Sequence, residues 1–83
     1  MISREVTITD PAGIHALKAA QLKMRSGRYE SDTFLRNDSG LANCRHPVSV
    51  LSLRIRYGAR VTVLCDGIDE REALREVCSL LEK

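Results

Sequence analysis

The chain has 83 residues, 43% of them hydrophobic and 29% charged, with a formal net charge of +2. These are the values of an ordinary globular domain, and so short a chain buries only about 60–65% of the surface it exposes when unfolded. The small charge calls for neither nucleic acid nor a membrane surface as partner, and one Phe, two Tyr and no Trp leave no stacking platform for single strands.

Residues 1–8, MISREVTI, hold no long apolar run, which argues against a signal peptide or a membrane span. Ile2, Val6 and Ile8 recur at a period of two and predict a half-buried strand over 2–8. The DPAG turn stops it, through Pro11 and Gly13. From Ala16 to about Gly27 the run ALKAAQLKMRSG is rich in helix formers, with Gly27 as the expected stop. A hairpin follows: Thr33–Arg36, the four-residue turn NDSG, then Leu41–Cys44.

In HPVSVLSL, Pro47 suits the first turn of a short helix, although the β-branched content also permits a strand. Gly58 breaks the chain ahead of RVTVLC, a strand with Val61, Val63 and Cys65 on one face. Leu74, Val77, Cys78 and Leu81 then form one apolar helical stripe, with Asp69 and Glu72 spaced as a capping box at its start.

Cys44, Cys65 and Cys78 are odd in number and widely spaced, which matches neither a zinc knuckle nor a paired disulfide scaffold. Cys65 and Cys78 fall among apolar positions, where a free thiol acts as a small hydrophobe. The expectation is one cytoplasmic domain over residues 1–83, with reduced thiols and no metal. Its class is α+β, ordered βαββαβα, with one four-stranded sheet covered on one face by helices.

One imidazole stands out. His15 lies between the turn and the first helix, where the leading amides have no partner inside the helix and the dipole adds positive potential. An anion placed there accepts those donors. A neutral imidazole nitrogen is also a nucleophile able to hold a phosphoryl group. The competing reading makes His15 a solvated turn residue or a local cap.

The stretch EVTITDPAGIHALKAAQ closely resembles the opening of HPr, the histidine-containing phosphocarrier family of the bacterial sugar phosphotransferase system. VSVLSLRI, GARVTVLCDGIDEREAL and the last helix are similar to that family in the same order and at the same distances. The resemblance implies an open-faced sandwich with an antiparallel four-stranded sheet. It implies a carrier without cofactor, not a turnover enzyme, whose His15 takes a phosphoryl group from phosphorylated enzyme I. The group then passes to the A component of a sugar transporter.

Gly13, Ile14, His15 and Ala19 match the family motif of Gly, aliphatic residue, His, any residue, Arg, Pro, Ala. Leu17 stands where the family has Arg, and Lys18 where it has Pro. A leucine cannot replace a bidentate cation, so phosphate-stabilising contacts fall to the backbone N–H groups of Leu17 and Lys18 and to the Lys18 charge. His46 stands where many members carry a serine phosphorylated by a dedicated kinase, so that switch is not carried over. Neither Ser49 nor Ser52 matches the regulated position, and both are expected as cap or surface hydroxyls.

By resemblance, partners dock on the start of the first helix and on the short second helix. That face comprises His15, Leu17, Ala20, His46, Pro47, Val48 and Leu51, with Lys18, Arg45 and Arg54 at its rim. The alternative for Val48 and Leu51 is that they fill the core. The chain is expected to be a monomer. A regulatory or binding paralogue with weak or no transfer is the alternative function; an unrelated ligand- or RNA-binding sheet domain fits the scarce aromatics least well.

Overall fold

The structure, a computed structural model, describes residues 1–82. Its elements are β1 (Ile2–Thr7), α1 (Ala16–Ser26), β2 (Asp32–Asn37), β3 (Gly40–Asn43), α2 (Pro47–Ser52), β4 (Arg60–Asp66) and α3 (Glu70–Glu82). The strands form one antiparallel sheet in the order β1-β4-β2-β3. The last strand in sequence is thus inserted between the first and second. Val61 pairs across with Val6, and Val63 lies between Arg4 and Leu35.

Alternation decides which side the helices cover. Val61, Val63 and Cys65 of β4 are buried, as are Val6, Thr33, Leu35 and Ala42 on the neighbouring strands. Ala19 and Leu22 of α1 join this core, and so do Ala73, Val77, Cys78, Leu80 and Leu81 of α3. The opposite face carries the half-buried pair Phe34 and Leu64 in register. This is the expected α+β open-faced sandwich.

Several boundaries differ from the expectation, each for a local reason. β1 ends at Thr7, yet Ile8 is still buried in the core, and its N–H donates to the Ala59 carbonyl at 2.9 Å. In the hairpin Asn37 pairs with Gly40, so only Asp38 and Ser39 lie outside the ladder. The segment after Arg45 is a helix, with Pro47 in its first turn and Val50 buried. Pro lacks only an N–H that has no helical partner there anyway.

The start of α3 corrects the capping-box reading. The Asp69 carbonyl accepts the Ala73 N–H at 3.0 Å, but its carboxylate accepts the N–H groups of Glu30 and Ser31, each at 2.9 Å. The glutamate that reaches back is Glu70, which accepts the Gly67 N–H at 3.2 Å, rather than Glu72. Asp69 therefore ties the entrance of β2 to that of α3. The Ser31 hydroxyl and these amides hold its carboxyl below the ordinary range.

All three cysteines are free and buried. Burial pushes the Cys44 thiol up to about 12 and Cys78 to about 11. They are protonated packing groups at neutral pH, not nucleophiles.

Candidate functional site

The loop between β1 and α1 is shaped by Asp10. Its Oδ1 accepts the Ala12 N–H at 2.9 Å, and its carbonyl accepts the Gly13 N–H at 2.8 Å. Gly13 then adopts φ +69°. A Cβ built there would lie 2.5 Å from the Ile55 carbonyl oxygen and 2.8 Å from the Arg56 Cα. Only glycine permits this approach. Ile14 follows, donating its N–H to the same Ile55 carbonyl at 3.0 Å and burying its side chain. The loop is thereby fixed on both sides of the turn.

His15 comes next, in extended conformation as the N-cap of α1. Its carbonyl accepts the Ala19 N–H at 2.9 Å, while its ring makes no capping bond. The amides of Ala16, Leu17 and Lys18 are therefore without a protein acceptor among the described residues. No acidic side chain sits in the first turn of α1 to offset the dipole. Three donors and a positive helix end thus lie beside an imidazole whose side chain is 36% exposed. That is the geometry of an anion site with a nucleophile at its edge.

The ring has a carboxylate neighbour. Its Nε2 lies 3.3 Å from Asp10 Oδ2. The Lys18 ammonium approaches the same oxygen at 3.6 Å, with its side chain only 14% exposed. The Ala12 N–H, helped by His15 and Lys18, holds the Asp10 carboxyl below the ordinary carboxylate range against the opposing effect of burial. Asp10 was not legible as a site residue in the sequence. The one available signal was an acidic residue at the head of a turn that ends in histidine.

The expected docking residues fall into two groups. Leu17 is 64% exposed and Val48 81% exposed, and Ala20 and Leu51 are exposed as well, while Val50 and Leu53 fill the core. The core alternative for Val48 and Leu51 is thereby excluded. Met24, also exposed, extends the α1 stripe at i+7 from Leu17, a spacing that was readable in the sequence. α1 packs against α2, so these apolar side chains belong to neighbouring helices. Pro47 is half-buried, and His46 is exposed as the N-cap of α2.

Arg45 has a different setting from the rim cation expected. Its guanidinium donates to the Tyr29 carbonyl at 2.6 Å and to the Ser31 carbonyl at 3.4 Å, and lies 3.7 Å from the Asp32 carboxylate. It clamps the chain leading into β2. Arg54 closes α2 at φ +53° and is exposed. Among the described residues, His15 and His46 belong to no cluster of three or more side chains suited to a metal ion.

Comparisons with known proteins point to one family. The family model described as "PTS HPr component phosphorylation site" matches residues 2–83. The phosphocarrier protein HPr of Mycoplasma genitalium is 36% identical over 80 residues, 95% of this chain and 91% of that one. The crystal structure of a phosphocarrier protein HPr from Bacillus anthracis superposes with a TM-score of 0.92 at 25% identity, covering 98% of this chain and 96% of that one. The swapped-dimer structure of Crh from Bacillus subtilis, a catabolite repression protein by its description, gives a TM-score of 0.78 at 30% identity. It covers 98% of this chain and 93% of its own. Among the described residues no helix is long and apolar enough to cross a membrane. A helix-capping histidine beside three open amides, on this sheet order and with these relatives, places the chain in the HPr family of phosphocarrier proteins.

Proposed function

We propose that this chain is a cytoplasmic, monomeric, single-domain phosphocarrier that accepts a phosphoryl group on His15 from phosphorylated enzyme I. It delivers the group to the A component of a sugar transporter. A lone pair of the His15 ring attacks phosphorus as the bond between phosphorus and the donor atom of enzyme I breaks, and that electron pair stays on the donor. The amides of Ala16, Leu17 and Lys18 meet the charge on the equatorial oxygens, where most of the catalysis of phosphoryl transfer resides. No cofactor is needed, and the chain carries the group stoichiometrically.

The observation that carries this reading is the set of three unpartnered amides beside the half-exposed His15 ring. The exposed side chains of Leu17, Ala20, Met24, Val48 and Leu51 serve as the apolar centre of the docking face. His46, Pro47 and Lys18 border it. Arg45 contributes by tying the segment ahead of α2 to the chain leading into β2, since its guanidinium is engaged with the Tyr29 and Ser31 carbonyls.

A second reading, a regulatory or binding paralogue, draws on one feature. An exposed leucine, not a cation, follows His15, which suits contact better than charge transfer.

Incubation with phosphoenolpyruvate and enzyme I tests the choice. The expected result is an acid-labile adduct on the unaltered chain and none on His15→Ala. If no adduct forms while an ordinary family member in the same tube is labelled, the carrier reading fails. Retained partner capture by His15→Ala with unchanged output then favours the paralogue.

A further inference from the structure

The carboxylate of Asp10 is the charged group aimed at the back of the His15 ring, and the anion site described above gives it no part. We propose that Asp10 is the positioning residue of this carrier: it holds the proton of His15 on Nε2 and so sets the tautomer in which the ring meets the phosphoryl group. The proposal rests on the carrier reading for its kinetic consequence but not for its structural one.

The two oxygens of Asp10 have separate duties. Oδ1 takes the Ala12 N–H at 2.9 Å, which fixes the plane of the carboxylate. Oδ2 is then turned toward Nε2 of His15 at 3.3 Å and the Lys18 ammonium at 3.6 Å. An ionised carboxylate only accepts, so Nε2 must be the donor and Nδ1 the unprotonated nitrogen. A carboxylate behind a histidine orients the ring and selects its tautomer in just this manner elsewhere in catalysis.

The same contact bears on the transfer step. As the unprotonated ring nitrogen forms its bond to phosphorus and the donor releases the group with its electron pair, the His15 ring gains positive charge while Nε2 keeps its proton. The Asp10 carboxylate faces that charge. Lys18 balances the carboxylate in the resting chain, so that it does not present a bare negative charge to the incoming anion. The charge of Lys18 acts on the phosphoryl group through Asp10 rather than by direct contact.

The variant Asp10→Asn tests this without dismantling the turn. The amide oxygen still accepts the Ala12 N–H, which places the amide NH2 where Oδ2 stood. A donor now faces Nε2, so the proton should move to Nδ1. Ring 15N NMR of the full chain, above the imidazole titration, reads the tautomer directly, and amide dispersion in the same sample confirms folding. The expected result is a proton on Nε2 in the unaltered chain and a predominantly Nδ1-protonated ring in Asp10→Asn. Phosphoryl uptake from enzyme I should fall about tenfold or more in the variant.

An unchanged tautomer in a folded Asp10→Asn chain overturns the proposal, as does a shifted tautomer with undiminished uptake. If neither chain takes label while an ordinary family member does, the carrier reading fails. The NMR result then decides by itself whether Asp10 sets the ring.

Discussion

The substitution Leu17→Arg is expected to raise the rate of phosphoryl uptake by about tenfold to a hundredfold, the scale on which a single well-placed donor acts in transition states. Leu17 sits two residues past His15, 64% exposed, with its amide among the three open donors. The only basic side chain in the first turn of α1 is that of Lys18, which is held on Asp10 at 3.6 Å. A guanidinium at position 17 would add a planar, always-charged fork to a site that now relies on backbone amides. Stopped-flow or quench-flow labelling with excess enzyme I checks this, with Leu17→Met as the neutral control. Equal rates for Arg and Met would mean that the amides already supply all the stabilisation the step uses.

Gly13→Ala is expected to destabilise the fold by about 3 kcal/mol or more, lowering the melting temperature by about 15 °C in a domain of this size. Two costs combine. The left-handed φ of +69° strains any residue with a Cβ, and here the added atom meets the Ile55 oxygen at 2.5 Å and the Arg56 Cα at 2.8 Å. Both neighbours are backbone, so no rotamer relieves the clash. Gly58 supplies the control. Its φ of +82° carries the same intrinsic strain, but a Cβ there meets nothing within 4 Å. Gly58→Ala should therefore cost only about 1 kcal/mol. Thermal melts by circular dichroism compare the two, and equal losses would remove the claim that the loop is wedged against Ile55 and Arg56.

Much of this molecule was legible one element at a time. Period-two burial at Val61, Val63 and Cys65 and the stripe at Leu74, Val77, Cys78 and Leu81 are local patterns that marked the core faces, although Leu74 is only half-buried and Ala73 and Leu80, outside the stripe, are buried as well. Pro47 resolves the ambiguity of VSVLSL, because tertiary packing needs only Val50 and Leu53 from that segment and a helix delivers both. The central place of β4 was not visible in those patterns, since a strand's alternation is the same whichever strand lies beside it.

At the site the division is similar. His15 and the open end of α1 follow from a turn, a histidine and a helix former in succession. The contacts of Asp10 with His15 and Lys18 depend on the Asx turn through Ala12 and on where Gly13 aims the chain, neither of which residue spacing specifies. Arg45 shows the same limit in reverse. Its charge was readable, but the carbonyls of Tyr29 and Ser31 that capture it come together only in the folded chain.

A carrier passes the phosphoryl group onward and does not merely hold it. A chase measures it: the chain is labelled on His15, freed from enzyme I, and mixed with the A component of a sugar transporter. Label is expected to leave His15 and appear on the acceptor, with none transferred from His15→Ala. Label that stays on His15 with every acceptor offered, while an ordinary family member discharges to them, would contradict it.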